Sequence, residues 1–298
     1  MKKMMKIKVL AIINPISGTG KKQKIESLLE KQLDTSRFEL SICYSKYAGH
    51  CTELAKDAVK TGFHAVIAVG GDGTINEIAK ALINTNVTLG IIPSGSGNGL
   101  ARHLGIPMQP EKAIEWMNEA IIGEMDTISA NDYQFVNVAG IGFDALVSHE
   151  FDKMNSRGVL SYIKATIKCF VSLRQQRFKI KSDNLQFSSV GMLVSFANSS
   201  QFGNDAYIAP NAKINDGKMN IALLRKPHWY QVPSLLMQIF THKVTDSPLY
   251  TEIVSDELTI EQESVLGHID GEPILIGKEI HLKTMPHSLK IFNSPTVN

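Results

Sequence analysis

Four stretches of this chain bring glycines, hydroxyls and carboxylates together at spacings that suit phosphate chemistry. The first is Gly70-Gly71-Asp72-Gly73-Thr74, preceded by the apolar run 65–69 and followed by Ile75-Asn76-Glu77. Glycines let a backbone turn sharply and approach an anion, and the free N–H groups and dipole of a following helix attract phosphate. Thr74 and Glu77 have capping-box spacing, which predicts a helix with Thr74 as N-cap and Glu77 at its third position. Asp72 is a carboxylate in the same loop, repulsive to phosphate unless a cation lies between them. It reads as a magnesium or water-network ligand for a nucleotide, or as a plain turn residue. The second stretch is Pro93-Ser94-Gly95-Ser96-Gly97-Asn98-Gly99. The third, Asn14-Pro15-Ile16-Ser17-Gly18-Thr19-Gly20-Lys21, offers hydroxyls and a lysine to phosphate, or is a generic turn; the G-x-x-x-x-G-K-[ST] spacing of a Walker loop is absent. The fourth is Asp270-Gly271-Glu272. A positioned carboxylate can accept a hydroxyl proton during phosphoryl transfer. Asp-Gly is also a strong hairpin signal, and spacing alone favours the turn.

The segments around these loops alternate strand and helix. Apolar runs at Ile7–Ile13, Phe38–Tyr44, 65–69 and 89–92 predict strands of a parallel sheet covered on both faces. Helical spacing links Ile25, Leu28, Leu29 and Leu33, then Leu54, Ala55, Ala58 and Val59, and a helix over 110–122 carries Ala113, Ile114, Met117 and Ile121 on one face. Loops after successive parallel strands open at one sheet edge, where ligands of open α/β sheets bind. Near Gly123 the character changes to short runs at 135–139, 178–181, 190–197, 219–224, 252–260, 280–285 and 289–292, the pattern of an antiparallel β domain. Helical segments at 159–173 and 230–240 interrupt it and mix apolar residues with Lys164, Lys168, Arg174, Arg177 and Lys243. Such segments lie on a membrane surface, roof an apolar pocket or form core. The expected organisation is an α/β doubly wound nucleotide domain over 1–128 and an antiparallel, β-sandwich-like domain over 129–298. Residues 289–298 are left free to return to the first.

With 298 residues, 43% hydrophobic and 20% charged, the composition is that of a globular protein with a sizeable core. A net charge of +2 without a dense basic stripe argues against nucleic acid as a partner. Residues 1–8 hold four lysines, but the apolar run after them is too short for a signal-peptide core or a membrane span. Cys43, Cys51 and Cys169 lack metal-ligand spacing, so the expected setting is reducing and cytoplasmic, with any membrane contact peripheral.

Taken together and in order, Asn14-Pro15 with Ser17-Gly18 and Gly20, Gly70 to Thr74 with Asn76-Glu77, Pro93 to Asn98, and His268-Ile269-Asp270-Gly271-Glu272-Pro273 resemble the diacylglycerol kinase and sphingosine kinase family. The nucleotide half is also similar to NAD kinases and phosphofructokinases. The resemblance implies ATP and Mg2+ bound between the two domains, and transfer of the γ-phosphoryl group to a lipid hydroxyl at the membrane surface. On that basis Asn14, Ser17, Gly18, Gly20, Lys21, Gly70, Gly71, Gly73, Thr74, Asn76, Glu77, Ser94, Gly95, Ser96, Gly97 and Asn98 cradle the nucleotide. Asp72 and Asp126 organise magnesium, Asp270 is the general base and Glu272 assists. Asp216 matches a stretch where some bacterial members hold a structural magnesium, and is otherwise a turn residue. Arg102 and Lys21 are phosphate partners or surface charge. Gly99 stands where bacterial diacylglycerol kinases usually carry aspartate, a form closer to sphingosine kinases. Asp144 lies near the acid that holds an amino-alcohol head group in those enzymes, or caps a helix. The acceptor is therefore diacylglycerol or a sphingoid base. A soluble acceptor such as a dinucleotide, and a nucleotide-regulated membrane-binding module without catalysis, are the alternatives. The oligomeric state is open, a homodimer among its options.

Overall fold

The computed structural model describes residues 6–15, 22–154, 159–173, 175–182 and 185–295. The candidates Ser17, Gly18, Gly20 and Lys21, and also Arg174, lie outside the described residues. The chain forms two compact units, Met1–Met125 with His287–Asn298, and Asp126–Pro286.

The first unit alternates β1 (Ile7–Ile13), α1 (Lys22–Gln32), β2 (Phe38–Tyr44), α2 (His50–Lys60), β3 (Ala65–Gly70), α3 (Asp72–Leu82) and β4 (Thr88–Pro93), followed by α4 (Gly99–His103) and α5 (Pro110–Glu119). Its strands run parallel in the order β2-β1-β3-β4. Every residue of β3 and β4 is buried, as expected for strands with helices on both faces. The helices supply that cover through residues three and four apart: Ile25, Leu29 and Leu33 around α1, Ile75, Ile78, Ala79 and Leu82 in α3, Ala113, Ile114 and Met117 in α5. Helix α5 stops at Glu119, not at 122. Ala120 is extended, and Ile121 begins the next strand half-exposed. Two neighbouring β-branched isoleucines favour the strand, and the Arg37 guanidinium donates to the Asn118 and Ala120 carbonyls at 2.6 and 2.5 Å, satisfying acceptors that the ended helix leaves open.

Strand β5 (Ile121–Ala130) leads into the second unit, followed by β6 (Tyr133–Phe135), β7 (Val138–Gly142), α6 (Phe143–Asp152), α7 (Val159–Ser172), β8 (Gln176–Ser182), β9 (Leu185–Gly191), β10 (Leu193–Ala197) and β11 (Met219–Leu224). Then come α8 (Val232–Phe240), β12 (Tyr250–Ser255), β13 (Glu257–Glu261), β14 (Leu266–Ile269), β15 (Glu272–Leu275) and β16 (Glu279–Asn293). One antiparallel sheet has the order β12-β11-β10-β7-β14-β15; another pairs β16, β13, β8 and β9 in that order. Alternate side chains explain the sandwich. Ala139, Ile141, Val194, Phe196, Met219, Ile221 and Leu223 share one core with Phe178, Ile180, Leu258, Ile260, Ile280 and Leu282. The opposite set, Val138, Leu193, Ala197, Ala222 and Leu224, packs with Phe143, Phe170, Leu235 and Ile239 of α6, α7 and α8. With both faces covered, β7, β10 and β11 are buried throughout rather than alternating, and apolar but for Ser195 and Asn220.

Several boundaries differ from the sequence pattern. Run 252–260 divides at Asp256 into β12 and β13, while 280–285 and 289–292 join in one strand. Strand β5 and helix α6 have no counterpart in it, β9 meets the run 190–197 only at its last two residues, and β14 and β15 enter only through the Asp-Gly hairpin signal. The end of β16 returns to the first unit, where Ile291 pairs parallel with Leu89.

Candidate active site

In the first unit two glycine loops meet backbone to backbone. A Cβ on Gly95 would lie 2.6 Å from the Gly71 Cα, and one on Gly71 would lie 3.2 Å from the Gly95 Cα. Only glycine permits that approach. The Ser94 N–H donates to the Gly70 carbonyl at 2.7 Å, fastening the start of one loop to the end of β3. Asp72 then bridges to the second loop: Oδ2 accepts from the Asn98 N–H and Oδ1 from the Gly99 N–H, both at 2.8 Å. Asn98 adopts a left-handed conformation (φ 52°), and its amide donates to the Gly95 carbonyl at 2.8 Å. Asn98 Oδ1 is buried and, among the described residues, without a partner. Burial pushes the Asp72 carboxyl above its ordinary range, against the opposing effect of these N–H bonds and Arg102. Helix α3 starts at Asp72 with Gly71 as an extended N-cap and no side-chain cap.

The capping box is therefore corrected. Thr74 sits inside the first turn, buried, and its Oγ1 accepts from the Asn14 amide at 3.0 Å. Glu77 serves a different helix: its carboxylate accepts the Gly49 and Cys51 N–H groups at 3.0 and 3.1 Å, supplying α2 with the anionic N-terminal partner that Gly49 lacks. Asn76 is buried. Gly70 packs so closely on Thr74 that a Cβ there would overlap its side chain.

Beside the second loop lies a cleft of about 420 Å³, lined by Lys24, Leu28, Ser94, Ser96, Arg102 and Glu111 among others. That volume falls in the range of small-ligand sites, roughly 300–1,000 Å³. Lys24 and Glu111 form an ion pair of 2.9 Å at its wall, and Arg102 Nε donates to the Gly97 carbonyl at 3.0 Å. Abutting glycine backbones and an orphaned amide oxygen beside a cleft of mixed polar and apolar lining suit a nucleotide, with Ser94, Gly95, Ser96, Asn98 and Arg102 at hand.

The second unit holds the remaining carboxylates. Asp270 (φ 49°) and Gly271 (φ 86°) are both left-handed and form the two-residue turn between β14 and β15, as a primed hairpin requires. The Asp270 side chain turns inward: Oδ1 accepts from the Asn137 and Val138 N–H groups at 2.9 and 3.1 Å, and Oδ2 from Val136 at 3.3 Å. Hairpin signal and buried, oriented carboxylate are thus the same residue. Glu272 is exposed at the start of β15. Asp126 is fully buried and accepts from the Gly217 N–H at 2.7 Å. Asp216 is exposed and accepts from the Lys218 N–H at 3.1 Å, within its own turn. Asp144 is nearly buried; its carboxylate accepts from Ser195 Oγ at 3.1 Å and lies 3.1 Å from His268 Nε2, and a Cβ on Gly140 would overlap it. Among the described residues no three His, Cys, Asp or Glu side chains form a metal-holding group.

Sequence reasoning missed the polar residues that organise this region. The Asn198 amide donates to the Asp126 and Val136 carbonyls at 2.8 and 2.9 Å, and Ser199 Oγ donates to Asn137 Oδ1. The signal was the run Asn198-Ser199-Ser200-Gln201 directly after a fully buried strand. Four polar residues there stay buried only with partners.

One unit is thus a parallel nucleotide-type sheet with paired glycine loops, the other a sandwich holding an inward-turned acid, the two-part architecture of the family that the chain matches. Residues 8–130 match the diacylglycerol kinase catalytic domain and residues 137–293 the YegS C-terminal NAD kinase beta sandwich-like domain. The chain belongs to this lipid kinase family, a class that transfers phosphoryl groups to alcohols and implies ATP as donor. It is 30% identical to an uncharacterized protein of Synechocystis sp. (strain ATCC 27184 / PCC 6803 / Kazusa), over 94% of this chain and 69% of that one. It is 28% identical to a Yersinia pestis (strain Pestoides F) protein named "Probable lipid kinase YegS-like", over 81% of this chain and 83% of the other. A solved structure described as a diacylglycerol kinase from Bacillus anthracis str. Sterne shares the fold: TM-score 0.76 and 22% identity over 98% of each chain. Among the described residues no helix is long and apolar enough to cross a membrane.

Proposed function

We propose that this protein is an ATP- and magnesium-dependent lipid kinase whose acceptor is the hydroxyl of diacylglycerol or of a sphingoid long-chain base. The observation that carries this reading is the backbone contact of Gly71 with Gly95, locked by Asp72 beside the Ser94–Arg102 cleft. Phosphoryl transfer asks a protein for positioning and charge stabilisation more than for covalent chemistry. The loop N–H groups and the N-terminus of α3 would hold the phosphates, with Ser94, Ser96 and Arg102 as further donors. Magnesium, when bound, neutralises charge on the transferring phosphoryl group. Asp72 would contribute to holding it, because each carboxylate oxygen accepts one N–H and retains a lone pair. Such an ion takes one or two carboxylates plus phosphates rather than an all-protein cage.

Asp270 takes the proton of the acceptor hydroxyl. The three N–H groups from Val136, Asn137 and Val138 fix its orientation, and orientation is what a general base needs first. Glu272 assists in the surrounding water network. Gly99, whose N–H bonds Asp72, favours the sphingoid base over diacylglycerol.

The test is transfer of labelled γ-phosphate from magnesium ATP to diacylglycerol, sphingosine and dihydrosphingosine in mixed micelles, with Asp270→Asn as control. Label in a lipid, absent in the variant, is expected. No label in any lipid, with label in a dinucleotide, would move the acceptor to a soluble molecule.

A further inference from the structure

One face of the second unit is apolar, exposed and unrelated to the residues placed at the reaction. Within the single turn of helix at Trp229–Gln231 and α8, the large side chains Trp229, Tyr230, Leu236, Met237 and Phe240 are all exposed, Trp229 by 83% and Met237 by 64%. Leu235 and Ile239, four apart, face the opposite way into the core shared with Phe170 and Leu224. The helix is therefore held by one stripe while it presents another. Its charge is predominantly basic too: between Arg225 and Thr245 the sequence has no aspartate or glutamate and carries Arg225, Lys226 and Lys243, with the exposed Asp246 next after that stretch. Lys226 reaches back, donating to the Leu173 carbonyl at 2.8 Å; Arg225 is exposed while its guanidinium donates to the Pro248 carbonyl, and Lys243 is exposed just past the end of α8.

We propose that this face is a docking surface for an anionic lipid bilayer, with Trp229 and the α8 stripe entering the interface and Lys243 and Arg225 at the head-group level. A helix with an aliphatic stripe, aromatic residues at its start and basic residues at its flanks has the make-up of an interfacial anchor. The basic excess of this segment, Arg225, Lys226 and Lys243 against the single Asp246 at its end, selects an anionic surface over a neutral one, because each lysine or arginine near such a surface adds about fivefold to binding. This goes beyond the reading of the protein as a lipid kinase, and binding can be read with no phosphoryl transfer.

The experiment is sedimentation of the full chain with vesicles of phosphatidylglycerol and phosphatidylcholine, or of phosphatidylcholine alone, without ATP. Binding to the anionic vesicles only is expected. Leu236→Ser/Met237→Ser/Phe240→Ser, all at exposed positions, should lose at least about tenfold in affinity and Lys243→Gln about fivefold, with unchanged circular dichroism. In a Trp116→Phe background Trp229 emission should shift to the blue on the anionic vesicles. Equal sedimentation of the triple variant and the parent would overturn the proposal. So would equal binding to phosphatidylcholine alone, or a dimer in solution that the triple variant dissolves, since the face would then belong to a second copy. Kinase activity alongside failed docking would sink this proposal and leave the kinase reading standing.

Discussion

Asp270 combines a strained turn position with a carboxylate that has three backbone donors, so its replacement tests structure and chemistry together. In Asp270→Asn one oxygen becomes an amide nitrogen that must face an N–H donor. The expected loss is about 1–3 kcal/mol in stability and two or more orders of magnitude in turnover, with ATP affinity nearly intact. Urea unfolding, calorimetric titration with ATP and the transfer assay separate these. A variant less stable but with normal turnover would leave Asp270 as a turn residue only. His103, at the end of α4, makes a pH-dependent contribution. Burial holds its imidazole down to about 4 from the ordinary 6.5. The unfolded chain then takes up a proton that the folded chain refuses, so the stabilising term is complete above pH 6.5 and is lost as pH falls through about 4. The loss is on the order of 3 kcal/mol. Melting temperature should fall across that window in the parent and fall less in His103→Gln; identical profiles would remove His103 as the cause.

Where the two loops touch, the elements rather than single side chains are the functional unit. Gly95→Ala places a methyl group 2.6 Å from the Gly71 Cα and 3.1 Å from Asn98 Oδ1. Backbone cannot rotate away as a side chain can, so the loops must part. The expected result is about 1–3 kcal/mol of destabilisation from overpacking and at least about tenfold weaker ATP binding by titration calorimetry. Unchanged ATP affinity would place the nucleotide elsewhere. These loops were readable in the sequence because a strand covered on both faces must be continuously apolar, and the glycines follow such strands directly. What tertiary contacts decide was not readable. Glu77 has the right spacing for Thr74 but bonds Gly49 and Cys51, more than two dozen residues earlier. Asn198 and Ser199 have meaning only beside Asp126, Val136 and Asn137. The runs 280–285 and 289–292 belong to one strand, and Pro286 falls between the stretches of β16 that pair with β13 and with β4, next to the left-handed His287. Strand β9, Leu-Gln-Phe-Ser-Ser-Val-Gly, is too polar and too weakly alternating to announce itself.

The path of the whole chain makes its last strand part of its first unit. The backbone leaves that unit at Met125 and rejoins it at His287, where Leu289, Ile291 and Phe292 are buried to 1% exposure or less. Phe292 stands edge-on to Phe38 with ring centres 5.9 Å apart, and its ring would lie 3.3 Å from a Cβ on Gly90. Asn84, just after α3, donates its N–H to the Ser288 carbonyl at 2.7 Å. The sheet that carries the glycine loops is therefore completed only after the second unit has been synthesised, and its stability depends on residues more than two hundred positions away. Phe292→Ala should lower stability by about 3–5 kcal/mol, the range for emptying a buried aromatic site. The two units should not share that loss equally. Amide exchange is expected to accelerate in β3 and β4 while β10 and β11, which contact none of the last residues in their own sheet, keep their protection. ATP-dependent thermal protection should shrink in parallel. Uniform acceleration across all four strands would mean that the two units open as one cooperative body, and the fold would then have a single stability shared by its nucleotide and sandwich halves.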